Sequence, residues 1–211
     1  MNILNKLNFN YKENKLFYMM VFVFFCVGIV LGTYMVKYMN LNDSTDLAGY
    51  FSSFTKSITE DTVNNKVLLI DILKKNLMLI GIIIVLAFTV FGTPFILLVD
   101  LIKGFTLGYT FSFLISTFDG KGIWLALVSI LPQNIIYIPC FIALSIVAIE
   151  FSSTKLRDRF FNKSKVNTIV ERELIFKVGV LLCVFMVGTL VEAYLSPGLI
   201  RFVVTNVYKV I

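Results

Sequence analysis

The chain is predicted to be all-α: a polytopic integral membrane protein with about five transmembrane helices, its N-terminus cytoplasmic and its C-terminus outside. Three observations predict this. Of 211 residues, 58% are hydrophobic and only 15% charged, and the mean hydropathy is +0.87, a composition of membrane chains and not of soluble domains. Apolar residues run nearly without relief from Leu77 to Ile149; a bilayer core about 30 Å thick takes roughly 20 residues as helix, so this run reads as several crossings. The lysines and arginines gather in short segments between apolar runs, where they act as topology determinants.

The first predicted span is Leu16 to Val36, preceded by Lys6, Lys12 and Lys15. It is longer than a secretory signal core, and no small-x-small cleavage site follows, so it reads as a retained anchor. The segment 40–76 comes next as an extracytoplasmic loop. From Tyr38 to Asn76 four lysines face five acids, Asp43, Asp46, Glu60, Asp61 and Asp71, and the lack of a positive excess fits the outside. Within it Leu47, Phe51, Phe54 and Ile58 recur at helical spacing, with Ser52, Ser53, Lys56 and Ser57 between them. That pattern predicts an amphipathic helix lying on the outer leaflet or docking a partner.

The stretch 77–150 is read as three broken spans: Leu77 to Val99, Phe105 to Phe118 and Ile123 to Ile149. Their interruptions are where function is sought, because polar or helix-breaking groups at membrane depth need neighbouring protein or a cavity to satisfy them. Gly92-Thr93-Pro94 and Asp100-Leu101-Ile102-Lys103-Gly104 flank a short apolar piece and read as a cytoplasmic turn or a re-entrant hairpin. Asp100 and Lys103, at i and i+3, would share one helical face. Leu131-Pro132-Gln133-Asn134 and Pro139 lie inside the fourth span; each proline removes a backbone hydrogen bond, so a kink or a locally unwound turn is expected there. Gln133 and Asn134 would bond the freed carbonyls or reach a neighbouring helix.

The segment 151–173 carries six basic residues, Lys155, Arg157, Arg159, Lys163, Lys165 and Arg172, against three acids, and is placed in the cytoplasm. The last span, Leu174 to Leu195, ends in Glu192-Ala193-Tyr194-Leu195-Ser196-Pro197, with the amphipathic tail Leu199 to Ile211 beyond, all within the unit 174–211. Glu192 and Tyr194 are expected at the outer interface. Gly28 and Gly32 form one small-xxx-small pair, Gly104 and Gly108 another; both permit close helix approach, within one chain or in a homodimer.

Several function classes are excluded or disfavoured. The net charge of +6 is explained by topology, so nucleic acid is not expected as a partner; the lipid bilayer is. There is no histidine, which removes Ser-His-Asp and Cys-His catalysis and imidazole-based zinc sites. Cys26, Cys140 and Cys183 all lie in apolar runs and read as small buried hydrophobes with no disulfide. No positioned base and nucleophile stand out. The expectation is one membrane domain, 1–211, that is not an enzyme, with no cofactor and no metal.

In this order along a chain of this length, Gly92 and Pro94, then Lys103-Gly104 and Gly108, then Leu131-Pro132-Gln133-Asn134 with Pro139, then Glu192, Tyr194 and Pro197 resemble the stage II sporulation protein M family. The resemblance covers nearly the whole chain and marks these positions as structural or partner-binding candidates. It implies a multi-pass protein of endospore-forming bacteria, in the cell membrane on the mother-cell side of the sporulation septum and engulfing membrane. In that family it works with stage II sporulation proteins D and P, peptidoglycan hydrolases of septal wall thinning and engulfment, as their anchor and scaffold. A permease subunit or small-solute transporter built on the broken helices is the alternative.

Overall fold

The structure is a computed structural model that describes residues 11–60, 65–117, 119–161 and 168–203. All the regular structure among them is helical. Helix α1 is Tyr11–Lys37, α2 Leu41–Glu60, α3 Asn65–Ala87, α4 Gly92–Thr117, α5 Asp119–Phe161, and α6 Thr168–Leu190. A π turn, Val191–Leu195, joins α6 to the short α7, Ser196–Val203.

The surface is inverted relative to a soluble bundle. Phe22, Val30, Met78, Val85, Ile102, Trp124, Ile135 and Val187 are exposed, while Asp100, Ser145, Ser152 and Thr189 are buried. Apolar side chains gain nothing by leaving lipid, whereas polar groups must find partners inside, so this pattern fits a bundle solvated by acyl chains. Among the described residues, four helical stretches are long and apolar enough to cross a membrane: Lys15–Lys37, Gly92–Thr117, Gly122–Leu156 and Ile175–Val203.

Side-chain contacts give each helix a direction. Gly28 meets Leu101 and Gly32 meets Phe105, so α1 and α4 run parallel. Ser145 bonds Asp100, while Ser152 bonds Thr89, so α5 is antiparallel to α4. Asn76 bonds Tyr137 and Phe88 packs on Phe151, which sets α3 parallel to α5. Cys140 bonds the Leu181 carbonyl while Gln133 takes a bond from Ser196, so α6 with its extension opposes α5. Direction therefore alternates through α1, α3, α4, α5 and α6. One end of the bundle gathers the start of α1, the α3–α4 turn and the end of α5; the other gathers α2, the start of α5 and α7.

Two predicted span limits are corrected. The turn between the second and third spans lies at Phe88–Phe91, inside the predicted span Leu77 to Val99, and helix α4 then runs unbroken from Gly92 to Thr117. The interval Phe91 to Gly104 is thus neither a cytoplasmic turn nor a re-entrant hairpin, and Asp100 and Lys103 sit well inside a helix. The true turn is apolar but well capped: the Leu86 carbonyl accepts from the Thr89 amide at 3.0 Å and its hydroxyl at 2.7 Å, and the Thr89 carbonyl accepts from Ser152 Oγ at 2.9 Å. Gly92 is required where the chain doubles back, because a Cβ there would overlap the Leu86 carbonyl. Pro94 falls in the first turn of α4, where a missing N–H costs nothing.

The amphipathic helix expected within the segment 40–76 is present as α2. Leu47 and Ala48 lean on the cluster of Val36, Phe113, Leu125, Ile200 and Val203 at that end of the bundle; the side chains of Phe51, Phe54 and Ile58 lie outside the described residues. The tail expected from Leu199 to Ile211 is helical as far as Val203, with Ile200 and Val203 buried, and its remainder also lies outside them. Of the cysteines, Cys140 is buried but Cys26 is half-buried and Cys183 exposed, so Cys183 faces lipid and not the core.

Candidate functional site

Polar side chains from four elements meet halfway along the bundle. Tyr137 of α5 is at the centre: its hydroxyl donates to Glu192 Oε2 at 2.7 Å and accepts from Asn76 Nδ2 at 2.9 Å. Both capacities of the phenol are thereby used, and its ring is fixed by stacking on Phe185, 4.6 Å between centroids. Gly188 leaves room for that ring, since a Cβ there would press on Tyr137 Cε1. Lys103 of α4 lies within electrostatic reach of the Glu192 carboxylate, so a cation and an anion from different helices share this level. Charges inside a bilayer are costly and mark functional sites by default when paired in a bundle interior.

The site is carried by a feature of the last span. An α-helix reaching Pro197 would lose the amide that bonds residue 193, and the chain widens one turn earlier instead: the Ser196 amide bonds the Val191 carbonyl, five residues back. Such single π turns often accompany functional sites. This one swings Glu192 toward Tyr137 and returns Ser196 to α5, where Ser196 Oγ donates to Gln133 Oε1 at 2.9 Å. Glu192 is accordingly half-buried among helices, not at the outer interface, because the helix does not end at Leu195 but continues to Val203. Tyr194 is exposed on the bundle's outer surface, and Pro197 is half-buried in the first turn of α7.

Helix α5 remains helical through both prolines, with no unwound turn. The carbonyl that Pro132 deprives of its donor is that of Val128; the side-chain amides that follow bond the next two carbonyls instead, Gln133 Nε2 that of Ser129 at 2.8 Å and Asn134 Nδ2 that of Ile130 at 2.7 Å. Gln133 both satisfies its own helix and binds α7, as its residue type allowed, whereas Asn134 serves its own helix. Pro139 faces outward.

Gly104 and Gly108 belong to a separate arrangement. A Cβ on Gly104 would overlap the Phe25 carbonyl and one on Gly108 the Ile29 carbonyl, while Gly28 and Gly32 meet the Leu101 and Phe105 carbonyls in return. The two glycine pairs are committed to each other within one chain. The structure thus groups Lys103, Gln133 and Glu192 with the polar cluster, sets Gly104 and Gly108 in the α1–α4 contact, and leaves Gly92, Pro94 and Pro139 at turns and surfaces.

Sequence reasoning missed Asn76, Tyr137, Ser145 and Ser152. Three of these carried a legible signal. Gln133, Tyr137, Ser145 and Ser152 follow one another by four, eight and seven residues, which places them on a single face of α5.

A family model described as stage II sporulation protein M matches residues 21–197. No curated protein and no solved structure matches the chain. The matched interval takes in every helix from most of α1 to the start of α7, including the glycine pairs, the turn at Gly92, the prolines of α5 and the π turn at Glu192. The chain belongs to the stage II sporulation protein M family, and is a sporulation membrane protein.

Proposed function

We propose that this protein is a non-enzymatic membrane scaffold that anchors and positions stage II sporulation proteins D and P, peptidoglycan hydrolases that thin the septal wall and drive engulfment during endospore formation. The observation that carries the reading is the family match over residues 21–197. The disposition of the ends supports it: α2 and α7 share one end of the bundle, and the end of α5, which carries Lys155, Arg157 and Arg159, lies at the other. By the positive-inside rule the basic end is cytoplasmic and α2 and α7 face the wall, on the mother-cell side of the septum. Five helices then cross, with N-terminus inside and C-terminus outside.

The test is recovery of the tagged chain in mild detergent from sporulating cells. Wall hydrolases in near-equal amount are the expected result, lost when the exposed positions of α2 such as Tyr50 and Asp46 are replaced. Recovery of an ATPase in their place would point to a permease. A transporter of small solutes is favoured by one observation only, the charged groups at mid-bundle, and solute flux in liposomes checks it.

A further inference from the structure

We propose that Asp100 is a proton-binding site, a carboxyl in the bundle interior that takes up and releases a proton. Asp100 is fully buried. Its Oδ1 accepts a hydrogen bond from Ser145 Oγ at 2.6 Å, whereas Oδ2, equally inaccessible, has no hydrogen-bond partner. A polar group kept only to stitch helices together has its bonding capacity used, as Tyr137 has; a buried oxygen left open calls for another explanation.

The surroundings supply it. Among the described residues, the polar and charged groups near this depth are Asp100 and Lys103 of α4, Ser145, Cys140 and Tyr137 of α5, Asn76 of α3, Glu192 of the π turn and, by the register that sets Cys140 against Leu181, Lys177 of α6. Helix α1 brings Val21 to the surrounding core, and α3 brings Ile80 and Ile83 beside its Asn76. None of these groups donates to Asp100 Oδ2, which is inaccessible and has no hydrogen-bond donor against it. An ionised Asp100 without a cation would be far costlier in this medium than a neutral one, so the resting form carries the proton on a carboxyl oxygen. Among the described residues no three acidic or sulfur side chains converge as a metal centre would need.

From Gln133 to Ser152 the polar face of α5 covers about 28 Å at 1.5 Å per residue, close to the depth of the hydrocarbon core. Ser152, bonded to the Thr89 carbonyl at the α3–α4 turn, stands two turns from Ser145. Uptake forms an O–H bond on Asp100 using a proton from water at the basic end, and release returns it. Release leaves an anion on Asp100, one turn from Lys103 on the same helix.

The experiment uses the full chain in liposomes and an apolar carbodiimide, which adds to protonated carboxyls within the bilayer, with the adduct located by peptide mapping. The expected result is modification of Asp100, falling about tenfold per pH unit above a midpoint as a single-proton site requires, and absent in Asp100→Asn. Ser145→Ala, which removes the bond to Oδ1, should displace that pH dependence. Three results would overturn the proposal: no adduct on Asp100 at any pH, an adduct indifferent to pH, or protection by sodium ions and not by alkali. None of them bears on whether the chain recruits hydrolases.

Discussion

Helix α4 is held on its two sides by opposite means. Toward α1 it presents Gly104 and Gly108 to Gly28 and Gly32, and backbone lies against backbone with no side chain between. Toward α5 and the π turn it presents Asp100 and Lys103, which meet Ser145 and the field of Glu192. The first contact depends on shape and tolerates no added atom. The second depends on matched charge and hydrogen bonds and tolerates changes of size better than loss of a partner. In lipid, where burial of apolar surface gives no drive for helices to associate, these are the two means available.

The comparison breaks most sharply at the glycines. Gly104→Leu must displace the backbone of α1, so a loss of about 3 kcal/mol or more is expected, seen as failure to elute as a single species in mild detergent; a normal profile would show that the two helices are not in backbone contact. Next in size is Glu192→Leu, which takes the acceptor from the Tyr137 hydroxyl and removes the anion whose field reaches Lys103, a loss of about 2 kcal/mol. Combining it with Lys103→Met should recover part of that stability in a detergent unfolding titration, and a double variant no better than the single would show that Lys103 does not depend on Glu192. Tyr137→Phe keeps the stack on Phe185 but removes two hydrogen bonds, a loss of about 1 kcal/mol, with a melting temperature lowered to match. Smallest is Ser196→Ala, near 0.6 kcal/mol, the average found for interhelical bonds in a bilayer; a much larger effect would mean that the bond to Gln133 sets the π turn.

How much of this was legible in the sequence differs between the same two contacts. The glycine pairs were visible as spacings, and the only thing hidden was that each is the other's partner. The charged side was misread because hydropathy equates polarity with surface. Lys103-Gly104 and Asp100 looked like a turn, while the true turn, Phe88-Thr89-Val90-Phe91, is apolar and raised no signal. Glu192 looked like the end of a span since Ser196-Pro197-Gly198 reads as a stop. A π turn absorbs the proline without ending the helix, and no residue pattern announces that register change. Pro132 and Pro139 likewise suggest an opened helix, but the helix continues through both, with the amides of Gln133 and Asn134 bonded to the carbonyls of Ser129 and Ile130 in the same turn.

Helix α3 has a consequence for how the protein enters the membrane. It runs the depth of the bundle beside α5, yet Asp71, Lys74 and Lys75 lie in its first half, all of them half-buried or more exposed, and it is not among the helices apolar enough to cross alone. Its polar partner Tyr137 is synthesised some sixty residues later. During biogenesis the ribosome therefore releases α3 before anything exists to receive it, and its insertion is expected to wait for α4 and α5. A chain truncated after Thr117 should leave Asn76 open to a membrane-impermeant reagent, once that position carries a cysteine, and the full chain should close it.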